Sequence, residues 1–376
     1  MIRFQASVRV RAVVWIAIGS IACLALGVAL RVTRGDSWQR AEAATSRAWQ
    51  EGRLGEAERL SAEAVAQAER FGPRDVRLAS SLNNLAELYR VQGRYAQAEP
   101  VYRRALGVME GARGAGHSDV AVLLNNLGEL QRARGRYAEA EALHRRAYAI
   151  WERAGGPEHP DVAVSLNNLA EVYRAQQRLE EAAALHLRAL AIRERALGPH
   201  HPDVAVTLNN LAALYSAARR YGEAETLYRR ALGIRESALG REHPDVAVSL
   251  NNLAEAYDAR GWSAQAEPLY RRALAVWERA LGPDNPDVAV ALNNLAVLYQ
   301  TQHRYEEAEP LYRRALAIWE KRLGAAHPDL AAPLRNYAGL LRKTGRAVEA
   351  DALARRAEAI GAAREQDQRN EPGTTG

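Results

Sequence analysis

The segment LNNLAELYR at residues 82–90 returns at a fixed interval of 42 residues, and that interval limits what the chain can fold into. It carries tandem asparagines at Asn83-Asn84, Asn125-Asn126, Asn167-Asn168, Asn209-Asn210, Asn251-Asn252 and Asn293-Asn294, with a worn copy at Arg335-Asn336. One unit of this size cannot bury its apolar face alone. Stacked on its neighbours it can, so a strict period of 20–50 residues predicts a solenoid. Solenoids present long surfaces for binding and seldom house chemistry.

Within the unit, Leu82, Leu85, Ala86 and Tyr89 fall at i, i+3, i+4 and i+7, one stripe of an amphipathic helix. After Gln92-Gly93-Arg94 a second stripe follows at Tyr95, Ala98, Val101, Tyr102 and Ala105. Small Ala98 lets the two helices approach closely, and alanine recurs there at Ala140, Ala182, Ala224, Ala266, Ala308 and Ala350. Each unit therefore reads as an antiparallel helix pair closed by a short turn. At the joints, glycine ends one helix and proline opens the next, as in Gly198 and Pro202-Asp203. Asp203 stands where the helix dipole favours a carboxylate. His159, His201, His243 and His327 precede these prolines, and Asn285 replaces histidine at the one remaining joint of this type. Asparagine is a good N-cap, so the histidines are expected to cap as well. They do not form a metal ladder: equivalent residues in successive units lie at least about 8–10 Å apart, too far to share an ion.

Charge separates one segment from the rest. Residues 1–40 hold Arg3, Arg9, Arg11, Arg31, Arg34 and Arg40 against Asp36, which is +5 of the total +6. The repeat body is nearly neutral, so no phosphate-binding face for nucleic acid is expected. Cys23 is the only cysteine, which excludes a disulfide framework and a cysteine metal site. No G-x-x-x-x-G-K-[ST] nucleotide motif, nucleophile elbow or zinc-spaced cluster occurs, so neither an enzyme nor a cofactor is expected. Residues 12–30 are apolar except for Ser20 and are bracketed by Arg11 and Arg31. At about 1.5 Å per residue they just span a bilayer core of roughly 30 Å. An uncleaved transmembrane anchor is expected, with a cleaved signal sequence as the alternative. Flanking arginines tie and the free amine tips the N-terminus inward. The repeats would then face the periplasm or exterior from an inner membrane. The alanine-rich, arginine-dominated composition suggests a bacterial source.

The Leu, Leu-Ala and Tyr positions of the first helix and the Ala, Tyr and Ala positions of the second resemble the tetratricopeptide repeat. The 42-residue form, with HPDVA before LNNLA and RRALAI before LG, is similar to the kinesin light chain class of these repeats. The resemblance covers six regular units at 76–325, a weaker capping unit at 326–360, and a degenerate first pair within a linker region at 31–75. Outside it lie a basic tail at 1–11, the anchor at 12–30 and a polar tail at 361–376, expected to be disordered. It implies an all-α, right-handed superhelical solenoid of antiparallel helix pairs, whose concave wall of first helices holds a peptide or partner protein. It implies no motor activity.

Helix geometry assigns the wall independently. At about 100° per residue, Asn84 lies about 150° from the packing stripe and Asn83 about 110°. Thus Asn84, Asn126, Asn168, Asn210, Asn252 and Asn294 point most nearly away from the core. Asparagine costs a helix about 0.5–0.7 kcal/mol against alanine, so two in tandem need an offsetting role. One reading is a ladder of amides gripping an extended peptide backbone. The other has one asparagine of each pair bonding a neighbouring helix; for Asn83, Asn125, Asn167, Asn209, Asn251 and Asn293 the two readings balance. Trp151, Trp277 and Trp319 share one position near the end of the second helix and read as packing residues. The expected function is a membrane-anchored scaffold for a peptide or protein. The alternative is a sensor of a peptide signal acting through a separate output protein.

Overall fold

The structure is a computed structural model that describes residues 37–369, with side chains described through residue 362. The expected anchor at 12–30 lies outside the described residues, and among these no helix is long and apolar enough to cross a membrane. The described chain is all-helical, with sixteen α-helices and one 3-10 turn. In order they are α1 (Ser37–Gln50), α2 (Leu54–Glu69), α3 (Val76–Val91), α4 (Tyr95–Arg113), α5 (Ser118–Ala133), α6 (Tyr137–Gly155), α7 (Pro160–Ala175) and α8 (Leu179–Leu197). There follow α9 (Pro202–Ala217), α10 (Tyr221–Leu239), α11 (Pro244–Ala259), α12 (Ser263–Leu281), α13 (Pro286–Thr301) and α14 (Tyr305–Leu323). The 3-10 turn Pro328–Leu330 leads into α15 (Ala331–Lys343), and α16 (Ala347–Arg369) is the last helix described. Two compact units divide at Leu214 and Tyr215, inside α9.

In the first unit, Leu82 and Leu85 of α3 meet Ala105 and Met109 of α4, Leu123 and Leu124 of α5 and Ile150 of α6 in one apolar cluster. The core therefore runs from pair to pair, as the repeat requires. Ala98, Ala140 and Ala182 here, and Ala266, Ala308 and Ala350 in the second unit, are fully buried. Trp277 and Trp319 are buried, in agreement with their packing role.

The joints follow the capping grammar. The Nδ1 atoms of His159, His201, His243 and His327 accept from the backbone N–H of Asp161, Asp203, Asp245 and Asp329 at 3.2–3.3 Å. Asn285 does the same for Asp287 at 2.8 Å. His117 caps α5 in the same way, at 3.1 Å.

A further device joins successive helix pairs. Glu267 of α12 accepts from Tyr299 of α13 at 2.9 Å and from Arg304, in the turn after α13, at 2.8 Å. Its own Arg271, four residues on, adds a bond at 3.0 Å. Glu141 and Glu309 repeat the cluster with Tyr173 and Arg178, and with Tyr337 and Arg346. Ala183 stands at the equivalent position of α8, and Leu187 where the paired arginine would be.

One boundary differs from expectation. The polar tail expected from residue 361 is still helical to Arg369. Residues 362–369 contain no proline or glycine and consist of tolerable helix formers, and the first proline beyond is Pro372.

Candidate functional site

The first asparagines of each pair lie deep. Asn83, Asn125, Asn167, Asn209, Asn251 and Asn293 are between 0% and 7% exposed. Their amides link successive first helices. Asn125 donates to Ser165 at 3.2 Å and Asn167 to Thr207 at 3.0 Å. Asn83 accepts from Asn126 at 2.8 Å, Asn251 from Asn294 at 3.2 Å and Asn293 from Asn336 at 3.3 Å. A buried amide needs such partners, because leaving one unmade costs about 1–3 kcal/mol.

The second asparagines divide into two groups. Asn84 donates to Glu42 of α1 at 2.9 Å, and Asn126 and Asn294 make the clasps just described. Asn168, Asn210 and Asn252 make no side-chain hydrogen bond among the described residues. Asn168 and Asn210 are half-buried, with half-buried Val164 and Val206 one turn before them. Asn252, in the second unit, is 8% exposed. Two carboxamides in the first unit and one in the second, each with two donors and one acceptor, thus remain unspent at the same position of their helices.

Beside them in the first unit runs a row of paired charges. Arg90, Arg132 and Arg174 meet Glu87, Glu129 and Glu171, each one turn earlier, at 2.5, 2.7 and 2.6 Å. Burial would raise the Glu129 carboxyl, but Arg132 and His144 outweigh it and hold the group well below the usual carboxylate range. Glu171 behaves likewise: burial opposes ionisation, while His186 and Arg174 bring it down to about 2. Each carboxylate also faces the second helix, Glu87 through a hydrogen bond and the other two without one. Glu87 accepts from the Tyr102 hydroxyl at 2.5 Å, and Glu129 and Glu171 lie 3.6 and 3.5 Å from the Nε2 atoms of His144 and His186.

Those two histidines are fully buried and stand where other units have Tyr102, Tyr228, Tyr270 and Tyr312. The Nδ1 atom of His144 lies 3.0 Å from Asn125 Oδ1, and that of His186 2.8 Å from Asn167 Oδ1. Gly128 makes room for His144: a Cβ there would stand 2.6 Å from the ring. Arg193 and Arg235 occupy the position of Trp151, Trp277 and Trp319. Each is buried and donates to a backbone carbonyl and a hydroxyl, Arg193 to Asp203 and Thr207, Arg235 to Asp245 and Ser249. Burial pulls both guanidinium groups below the usual arginine value. None of these four residues was singled out from the sequence. Each departs from its own column of the repeat, and aligning the units against one another would have exposed it.

The repeat itself decides the family. Tetratricopeptide repeat patterns match residues 43–111, 119–195, 163–237, 203–267, 263–321 and 287–362, well over half of the chain. The chain belongs to the tetratricopeptide repeat family. No curated protein sequence matches it. Among solved structures it is similar to BtubC (BKLC) from P. vanneervenii, at 27% identity and TM-score 0.47, over 66% of this chain and 94% of that one. It is similar to the nearly identical TPR-like repeats of a Podosopora anserina putative kinesin light chain, at 28% identity and TM-score 0.45, over 55% and 97%. A Rap protein complexed with competence and sporulation factor aligns at 15% identity and TM-score 0.52, over 88% and 99%, a likeness of fold.

Proposed function

We propose that this tetratricopeptide repeat protein is a binding scaffold, not an enzyme, whose wall of first helices holds an extended peptide or a segment of a partner protein. The observation that carries the reading is the unspent amides of Asn168, Asn210 and Asn252, set against the bonded amides of Asn84, Asn126 and Asn294. An extended backbone offers the complementary N–H and C=O groups, which a helical partner keeps for itself. The right-handed superhelix implied by the repeat class, and Asn83, Asn125, Asn167, Asn209, Asn251 and Asn293 as the layer supporting the wall, belong to the same proposal.

Residues 12–30 supply the tether: one apolar pass through the inner membrane, with the repeats on the periplasmic or exterior side. Two experiments test these parts. A photo-crosslinking residue at Val206 of the full-length chain should capture a peptide or protein in cells, and the Asn168→Ala/Asn210→Ala variant should lose it; capture of nothing sinks the wall. The chain should remain with membranes through carbonate washing. A mature protein beginning near Val28 or Leu30 would replace the anchor with a cleaved signal.

A further inference from the structure

We propose that His144 and His186 are positioning residues which free Asn168 and Asn210 to grip a ligand, and that the ligand there is an uncharged, extended peptide. The inference rests on the wall reading above and deepens it. In three clasps within the two units, the second asparagine of one pair donates to the first asparagine of the pair before it: Asn126 to Asn83, Asn294 to Asn251, and the worn copy's Asn336 to Asn293. In each case the second helix of the earlier pair carries tyrosine, namely Tyr102, Tyr270 or Tyr312. Tyr102 and Tyr312 turn their hydroxyls to Glu87 and Gln300, leaving the asparagine oxygen for the clasp.

By the same register Asn168 should donate to Asn125, and Asn210 to Asn167. Neither does. Each acceptor oxygen is engaged by an imidazole Nδ1, from His144 at 3.0 Å and His186 at 2.8 Å. The other end of each carboxamide is fixed as well, by Ser165 and Thr207. Because those amide nitrogens donate, the oxygens face the rings, and each Nδ1 must carry its hydrogen. Clasped pairs have no hydroxyl there: Leu123, Ala291 and Pro333 stand at the positions of Ser165 and Thr207. A tyrosine-to-histidine exchange together with a hydroxyl residue thus captures the first asparagine and opens the next pair's second one. Asn252, whose counterpart Asn209 lies in the other unit, is outside this comparison.

The surroundings restrict what the freed amides meet. Arg132 and Arg174 are matched by Glu129 and Glu171, so the row beside the amides has no net charge to pair with an acidic or basic ligand. Val164 and Val206 flank the same amides and offer apolar contact. Backbone groups and small uncharged side chains satisfy both features; a charged segment gains no partner and loses hydration.

The test uses the full-length protein in detergent and a probe peptide of alternating valine and threonine, acetylated and amidated, followed by titration calorimetry. Asn168→Ala should weaken the probe about two- to tenfold, the value of one amide hydrogen bond. His144→Tyr/Ser165→Ala recreates a clasped pair and should give the same loss with an unchanged or higher melting temperature. Combining all three changes should cost no more than either alone, because both routes remove one amide. Additive losses, or full affinity in a folded His144→Tyr/Ser165→Ala protein beside a weakened Asn168→Ala, overturn the positioning role and leave the wall reading standing. Tighter binding of the same peptide with lysine or glutamate at the threonine positions overturns the uncharged ligand. Failure of all three peptides to bind the unmodified protein overturns both readings.

Discussion

Glu171 shows how much one residue of the repeat can be asked to do. Its carboxylate pairs with Arg174, faces His186 and borders the proposed wall. Its folded pKa, about 2, lies below the ordinary glutamate value near 4.3, so the folded state binds its proton less readily than the unfolded state. That stabilisation is complete above about pH 4.5 and is lost as pH falls toward 2. Glu171→Gln should therefore lower stability at pH 7, and the difference from the parent should shrink on acidification through that window; melting curves at pH 7, 4.5 and 3 measure it. At residue level the sequence was only partly legible. Helical angle, which needs nothing beyond one helix, separates the half-buried Asn84, Asn126, Asn168 and Asn210 from the buried first asparagines, but not Asn252 and Asn294, which are 8% and 3% exposed. Which amides are spent depends on the neighbouring unit, through His144, His186, Ser165 and Thr207, and that information is spread over about one repeat in either direction.

At the scale of the element the sequence was far more legible, because both stripes and every cap are local. Leu82, Leu85 and Ala86 pack as their spacing requires, and the pre-proline histidines cap through Nδ1. Ala266 is fully buried in α12, which packs on α11, and Ala266→Leu should overpack the pair and cost about 1–3 kcal/mol. A melting curve unchanged within error would mean the two helices do not cross at this alanine. The inter-pair glutamates were illegible for a physical reason: beside Arg271, one turn on, Glu267 gathers Tyr299 and Arg304 from the next helix and the turn beyond it, at separations no helical period marks. Glu267→Ala removes three hydrogen bonds from a partly exposed cluster and should cost about 1–2 kcal/mol. Hydrogen exchange should rise first in α13 and α14. Ala183, in the same column, marks a joint where the chain already does without this carboxylate.

For the whole molecule, repetition fixes the architecture, and the proposed function rests on variation between repeats. The units share their packing residues almost without change, yet differ at the histidines, at the buried arginines and in the bonding of the second asparagines. A repeat that only needed to stack would have no reason to leave three amides unspent. The most direct measurement is titration calorimetry of the Asn168→Ala/Asn210→Ala/Asn252→Ala protein with the capped valine–threonine peptide, paired with a melting curve. Each lost hydrogen bond should cost about 0.5–1.5 kcal/mol, so affinity should fall by about ten- to a thousandfold. The melting temperature should hold or rise, since alanine is the better helix former. Full affinity in the folded triple variant, or a loss of binding that only tracks a loss of stability, would contradict the account.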